Sequence, residues 1–453
     1  TRTDNVTLNV EYQMGDFTLT SITGLIGFDS ADGLDVDFTP APMLFEDHKQ
    51  DYEQFSQELR ISSAGGETVD YIAGVYYQAS EFDFNKLLNV HLVPHLGGYK
   101  AAYEKDFSQE SDTVAVFAEA TWNVSESFAL TGGLRYSREN KDAESHLITL
   151  ESTGAPAGPF TEFVLSQFDV YAHDQQVART ESNVTPQIKA TYFFSEDVMG
   201  YITASTGFKG GGFNTEVTNP ATSPIEFEEE SAKAIELGLK STLLDGAAHL
   251  NVSLFRTDFS DLQVSGFDGI AFVVGNAAEA TTQGIELDGM WRLTERLTLG
   301  GSYSYLDAQY GSYENAPCTA AQKAVSVGSC QQDISGQSLH YAPENSANVN
   351  LNYVMPLGDD YELELGADVN YSDDVFLQSD LDSEDSQEAF SKVNARIALD
   401  NLAQDWSVAL IAKNITDERT TNNGVDVPIL EGGAHVKNVM LPRTVALQLN
   451  MRF

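Results

Sequence analysis

The sequence predicts an all-β fold, a transmembrane antiparallel β-barrel, from three observations. The first is alternation. In the closing stretch Val445, Leu447, Leu449, Met451 and Phe453 share one side, and Thr444, Ala446, Gln448, Asn450 and Arg452 the other, because successive strand side chains point to opposite faces. The second is rhythm: every second connection is roughly three to five residues and those between are mostly roughly thirteen to forty, the arrangement of bacterial outer-membrane barrels. The third is charge on the polar faces, which a dry core could not hold unpaired. A soluble sandwich has no reason to gather its long loops on one rim.

In chain order, strands are expected at Asp4–Gln13 and Phe17–Phe28 around Met14-Gly15-Asp16, then at Gln54–Ser62 and Val69–Ser80 around Gly65-Gly66. Asp29–Tyr52, with Pro40 and Pro42, shows no period and reads as a long loop, as does the stretch up to Gln109 with Pro94 and Gly97-Gly98. The next pairs are Thr113–Asn123 with Phe128–Glu139 and Asn183–Phe194 with Met199–Phe208. A long loop running to Thr180 separates them. The loop Lys209–Glu229 leads to Ala232–Leu243 and Ala247–Asp258, and a shorter segment near Phe259–Ala278 precedes Thr282–Leu293 and Leu297–Gln309. Beyond a cysteine-bearing loop, Tyr310–Tyr341, come Asn345–Met355 with Tyr361–Tyr371 and Phe390–Asn401 with Trp406–Asn414. The loop Ile415–Met440 precedes the last strand. That makes about 17 strands, each long enough to span a bilayer when tilted.

The faces fit a wet lumen. Tyr361, Leu363, Leu365, Ala367, Val369 and Tyr371 oppose Glu362, Glu364, Gly366, Asp368 and Asn370. Ile285, Leu287, Gly289, Trp291 and Leu293 alternate with Glu286, Asp288, Met290 and Arg292, and Val349, Leu351 and Tyr353 with Asn348, Asn350 and Asn352. Tyr361, Tyr371, Trp291, Tyr303, Tyr305 and Trp406 suit the two interfacial aromatic girdles.

Composition sets outer limits. At 453 residues, soluble domains of ~150 residues would number about three, but large barrels exceed that size as one unit. No apolar run reaches the ~18 residues of a spanning helix, which excludes a helical membrane protein. A mean hydropathy of -0.24 excludes little, since half of each barrel strand is polar. The first residues lack the order of a signal peptide, so the sequence is expected to be processed or truncated. Lys+Arg 25 against Asp+Glu 68 gives a net charge of -43, a field that repels phosphate backbones and excludes nucleic acid as a partner.

Carboxylates gather at Glu226, Glu228, Glu229 and Glu230, and at Asp380, Asp382, Glu384, Asp385 and Glu388. They suit a solvated surface in a salty medium; the sharper alternative is divalent-cation binding, to bridge anionic lipid or to hold a loop. No run fits a calcium loop, and no metal site or cofactor is assigned. Cys318 and Cys330 lie in a polar loop, a placement that favours a disulfide and an oxidising compartment over two free thiols. Closing that loop restricts the unfolded chain by on the order of 3 kcal/mol.

Parity adds a constraint. Counted back from Phe453, Asp4–Gln13 runs from the long-loop rim to the short-turn rim, whereas single-chain bacterial barrels have an even number of strands. An odd number of strands is therefore expected upstream of Thr1, or from another chain.

Several segments resemble the barrel of TonB-dependent outer-membrane receptors. They are Gln54–Ser62 (QFSQELRIS), Gly200–Asn214 (GYITASTGFKGGGFN), Glu226–Lys240 ending AIELGLK, Thr282–Gly289 (TQGIELDG), Ala412–Asp417 (AKNITD) and the close at Phe453. The likeness covers essentially the whole chain. It implies a twenty-two-stranded barrel filled by an N-terminal plug, with residues 1–453 as its C-terminal part and the plug and TonB-binding segment outside this chain. It further implies capture of a scarce, bulky ligand by extracellular loops and import driven through the TonB complex. A ferric siderophore is the default ligand, ahead of cobalamin, haem or an oligosaccharide. The implied setting is the outer membrane of a Gram-negative bacterium, in contact with lipid bilayer and lipopolysaccharide, with Phe453 as the signal read by the barrel-assembly machinery or else one more lipid-facing aromatic.

The glycine run Gly207–Asn214 lacks the helix start and Lys-Ser/Thr pair of a phosphate loop. Its glycines are expected to permit a sharp loop, with Lys209, Phe213 and Asn214 as candidate ligand contacts. His91 and His95, beside Pro94, do not share a regular helical face. His48, His146, His173, His249, His340 and His435 are scattered. No nucleophile elbow or Ser-x-x-Lys pattern occurs, so no enzyme is expected. The rival readings are a passive porin, which needs an unplugged lumen and an even strand count, and an outer-membrane hydrolase, which needs a Ser-His pair.

Overall fold

The computed structural model describes residues 1–38, 43–92, 98–267, 272–326, 330–427 and 434–451. Within them, a 17-stranded antiparallel sheet forms the wall. Its strands are β1 (Arg2–Met14), β2 (Phe17–Asp35), β3 (Leu44–Ser63), β4 (Val69–Leu92), β5 (Tyr99–Ser125), β6 (Phe128–Glu151), β7 (His173–Ser195), β8 (Val198–Lys209) and β9 (Glu230–Leu243). They continue as β10 (Ala248–Phe267), β11 (Phe272–Arg292), β12 (Leu297–Ser312), β13 (Asn345–Leu357), β14 (Tyr361–Ser372), β15 (Phe390–Asn401), β16 (Trp406–Lys413) and β17 (Thr444–Met451). Each pairs with its neighbours in sequence, a simple meander. Every strand expected from the alternation falls on one of these. Among the described residues, β1 pairs with β2 alone and β17 with β16 alone, every residue of both is exposed, and the sheet is not closed. Phe453 lies outside the described residues.

Turns on one rim are tight. β1 and β2 are joined by Gly15 and Asp16, with Gly15 at φ 63, a conformation that favours glycine in a two-residue hairpin. At this rim Tyr361 and Trp406 meet with ring centroids 6.2 Å apart. Among the described residues no helix is long and apolar enough to cross a membrane.

The outer face changes character along a line across β3 to β6. On the short-turn side stand exposed Phe55, Leu59, Val75, Tyr77, Val114, Val116, Leu134 and Tyr136. On the other side Glu53, Glu81, Glu110 and Asp142 form one cross-strand row, each directly opposite the next. Like charges so placed repel, and they are tolerable only in water or among counterions. The apolar side is the lipid band.

The long-loop rim departs from expectation. Asp29–Tyr52 is not one long loop: β2 runs to Asp35 and β3 starts at Leu44. The stretch up to Gln109 is likewise mostly strand, as is Phe259–Ala278, and His173–Thr180 belongs to β7. A spanning strand needs ~9–11 residues, whereas β4 has 24 and β5 has 27. Above the band the phase of the pattern inverts. The inner face of β4 becomes apolar, with Phe82, Phe84, Leu88 and Val90 interrupted by Lys86, while Glu81, Asp83 and Asn85 turn outward. A pattern anchored on apolar-outward residues loses its register there, although the backbone ladder continues unbroken.

Candidate functional site

The inverted inner faces are apolar because loops pack on them. In the upper cluster, Leu88, Val90, Ala101, Tyr103 and Leu147 meet Leu165 and Val170 from the loop that carries helix α1 (Pro159–Ser166). Below it, Phe84, Phe107 and Ala143 bury Phe213, Val217 and Ile225. The loop between β8 and β9 thus leans into the mouth as a narrow ribbon, Gly212–Phe213 paired with Glu226–Phe227.

Two lysines anchor that ribbon. Lys86 and Lys105 face each other across β4 and β5 and are 4% and 1% exposed. Lys86 Nζ lies 2.9 Å from Glu46 Oε2 and 2.9 Å from Glu216 Oε2. Burial opposes its charge, but Tyr103, Glu216 and Glu46 outweigh burial and the net displacement of its pKa is upward. Among the described residues Lys105 has no paired carboxylate at that range. It donates to Ser145 Oγ at 2.5 Å, Val217 O at 3.0 Å and His173 Nε2 at 2.9 Å. Burial pushes its ammonium down to about 8, against the pull of Glu216 and Asp106 and with a further push from Lys86. His173 Nδ1 lies 2.9 Å from Tyr171 O, the pattern of a neutral ring that donates at Nδ1 and accepts at Nε2; burial first, and then Lys105, lowers its pKa.

On the other flank, Arg179 Nε donates to Glu181, while its Nη1 and Nη2 reach Glu226 at 2.9 Å and Glu228 at 2.7 Å. Glu181 also accepts from Gly211 N at 2.9 Å. A Cβ on Gly211 would lie 2.4 Å from Arg179 Cζ, and one on Gly212 would lie 2.8 Å from the Phe227 ring. None of Gly210, Gly211 and Gly212 takes a left-handed φ. These glycines therefore serve close approach and not the sharp turn expected from sequence.

Of the candidate ligand contacts, Phe213 is 6% exposed inside the lower cluster. Asn214 brackets β11: its Oδ1 accepts from Val274 N at 2.8 Å and its Nδ2 donates to Val274 O at 2.9 Å and Pro224 O at 3.2 Å. Lys209 ends β8 opposite Glu230 and is exposed. The structure brings Phe213 and Asn214 together as loop anchors. His91 lies in β4, and His95 lies outside the described residues.

A second loop assembly stands over β10 to β16. Cys318 and Cys330 are disulfide-bonded, with Cα atoms 5.7 Å apart. Val264, Tyr310, Tyr313, Ala316 and Ile334 form the cluster beneath them. The loop 373–389 crosses to its neighbours through Gln332 Nε2, which donates to Asp380 O at 2.6 Å, and Gln378 Nε2, which donates to Gly424 O at 2.6 Å. At its centre burial pushes the Asp380 carboxyl up to about 6 and raises that of Asp385.

Lys86, Lys105 and Arg179 were missed in the sequence because they lie in stretches that lack the apolar-outward phase. The inverted run Phe82, Phe84, Leu88, Val90 is the signal that marks the first of them.

A lipid-banded wall with a mouth roofed by packed loops defines an outer-membrane β-barrel of the receptor type. The profile of the family described as "TonB dependent receptor-like, beta-barrel" matches residues 1–415, and the chain belongs to that family, whose members are barrels of the Gram-negative outer membrane. It is 27% identical over 257 residues to the pesticin receptor of Yersinia enterocolitica, covering 56% of this chain and 33% of that receptor. It is 24% identical over 317 residues to the probable TonB-dependent siderophore receptor PiuA of Acinetobacter baumannii, covering 69% of this chain and 38% of that protein. The crystal structure of the ferric yersiniabactin uptake receptor FyuA from Yersinia pestis superposes with a TM-score of 0.79 at 20% identity, over 100% of this chain and 61% of that one. At that identity the likeness is one of fold. The chain thus spans about a third of the length of these curated relatives.

Proposed function

We propose that this chain forms the wall and extracellular mouth of a TonB-dependent importer of a ferric siderophore, and that it is a receptor and not an enzyme. The observation that carries the reading is the mouth itself. The tall hairpins β4–β5 and β6–β7 lift the wall above the lipid band, and loop 210–229 is fastened against them, so the opening has a fixed shape able to select a bulky solute. Relatives named as pesticin, ferrioxamine B and siderophore receptors support the ligand class. In this reading Lys209 is a ligand contact at the margin of the mouth, and Phe213 and Asn214 set the position of the loop that carries it. TonB acts through a plug that belongs to the complete receptor, and the barrel-assembly machinery inserts the wall. The acidic row Glu53, Glu81, Glu110 and Asp142 supports contact with lipopolysaccharide through shared divalent cations.

The test is uptake. Cells lacking the full-length receptor, grown in iron-limited medium with single ferric siderophores, are expected to lose growth on one of them and regain it on complementation. Normal growth on every ferric siderophore supplied overturns the ligand class.

A further inference from the structure

The second loop assembly holds a set of buried acids that its own cations do not balance. Asp380, Asp382, Asp385 and Asp426 come from two loops and are 8% exposed, 7% exposed, 0% exposed and half-buried respectively. The cations that face them among the described residues are Lys323, 3.4 Å from Asp426 Oδ2, and His435, whose Nδ1 lies 3.0 Å from Asp385 Oδ2 and 3.4 Å from Asp426 Oδ1. With the imidazole protonated, four carboxylates against two cations still leave two negative charges. Two carboxylate oxygens, Asp385 Oδ1 and Asp426 Oδ1, are buried with no hydrogen-bond partner. Uncompensated buried charge of this kind is strongly unfavourable.

We infer that Asp382, Asp426 and His435 bind a divalent transition-metal ion of the zinc type, which locks the loops 373–389 and 414–443 together. One ligand atom from each of the three lies within 4.8 Å of the others. Tetrahedral ligands at ~2.0–2.2 Å stand ~3.3–3.6 Å apart, so side-chain movements of about 1 Å close the set on an ion. A ligating imidazole is neutral, so without the ion Lys323 alone among the described residues faces the four carboxylates, and an ion of charge two cuts the excess from three negative charges to one. The nitrogen donor sets the class, because imidazole favours zinc-like ions over calcium or magnesium, which take oxygen. Asp385, fully buried, is a positioning residue: its hydrogen bond to His435 fixes the ring. The site is independent of the solute the receptor imports.

The receptor purified from outer membranes is titrated with Zn2+ against a chromophoric chelator and with Co2+ by visible absorption. One equivalent of Zn2+ is expected, with a Co2+ spectrum showing nitrogen coordination. Asp426→Asn and His435→Gln are expected to abolish both, and Asp385→Asn to weaken binding about 10–100-fold. Heat-modifiable mobility and an intact Cys318–Cys330 bond report that each variant is assembled. Absence of Zn2+ binding and of the Co2+ spectrum in the unaltered receptor overturns the inference whatever the variants do. So does unaltered binding by assembled His435→Gln.

Discussion

The loops over β3 to β7 are held by buried cations, and those over β10 to β16 by a disulfide and buried acids. In the first assembly every principal charge has a partner of opposite sign or a neutral acceptor: Lys86 has Glu46 and Glu216, Arg179 has Glu181, Glu226 and Glu228, and Lys105 has Ser145, Val217 O and His173. Two apolar clusters exclude water around them. In the second, one smaller cluster leaves the loops to a covalent link and to carboxylates that exceed their cations. The difference teaches that one half of the mouth is built from this chain's own side chains alone, while the other depends on an oxidising medium and gains from an added cation.

The largest effect is expected where the first assembly is broken at its most buried ion pair. Lys86→Met leaves Glu46 and Glu216 without their ammonium, and truncating one partner of a buried pair costs about 3–5 kcal/mol. Hydrogen exchange across 213–225 should accelerate accordingly, with no change across 318–330. Equal acceleration in both segments would show that the assemblies are one cooperative unit and remove the contrast.

The second assembly is broken at Cys318. Cys318→Ser releases a loop whose closure contributes about 3 kcal/mol, so protease cleavage within 313–344 should rise on intact cells while 210–229 stays protected. Reduction of the unaltered protein with dithiothreitol should reproduce the result, and resistance to cleavage after complete reduction would assign that stability to the cluster around Tyr310.

These expectations also mark what the sequence makes legible. The wall strands can be found because lipid on one side and water on the other impose a period of two with a fixed phase, as in Tyr361–Tyr371. Above the band that constraint ends. Phe84 and Leu88 then point inward against loops, and Lys86 among them looks like irregular sequence. The glycines at 210–212 drew attention to the loop that matters, but for a turn they do not make; their role depends on Arg179, a residue distant in the chain. Asp382 and Asp385 stood out as an acidic cluster, whereas Asp426 and His435 join them only through folding of the neighbouring loop. The pairing of Cys318 with Cys330 was readable because two cysteines in one loop leave few alternatives.

A smaller effect sharpens the comparison at the seam. Asn214→Ala removes the bracket on Val274 and leaves a partly buried donor and acceptor without their side-chain partner, which costs about 1–2 kcal/mol. Exchange at 213–225 should rise less than in Lys86→Met. Asn214→Asp keeps the acceptor for Val274 N but turns a carboxylate oxygen on the carbonyls of Val274 and Pro224 that Nδ2 serves, and should recover none of the loss. A loss as large as that from Lys86→Met would place the main anchor of the loop on β11 and not on β4.

The smallest effect near neutral pH, and the most specific, concerns Lys105. Its ammonium is pushed down to about 8 by burial, and by Lys86, against ~10.4 for an exposed lysine. The folded value lies below the unfolded one, so between them the unfolded chain binds more protons and stability rises with pH. The contribution is fully present above ~10.4 and is lost as the pH falls through about 8; below that the lysine is charged in both states and nothing further changes. The 13Cε signal of Lys105 should therefore titrate with a midpoint near 8, and opening of 213–225, corrected for intrinsic exchange, should slow as the pH is raised above it. His173→Gln keeps an acceptor available to the ammonium but removes the ring, and should move the midpoint by less than Lys86→Met, which removes the neighbouring positive charge and should raise it. A midpoint in the range of an exposed lysine would mean that water reaches Nζ, and that the cluster around Phe107 and Val217 is not the dry anchor on which the contrast between the two assemblies rests.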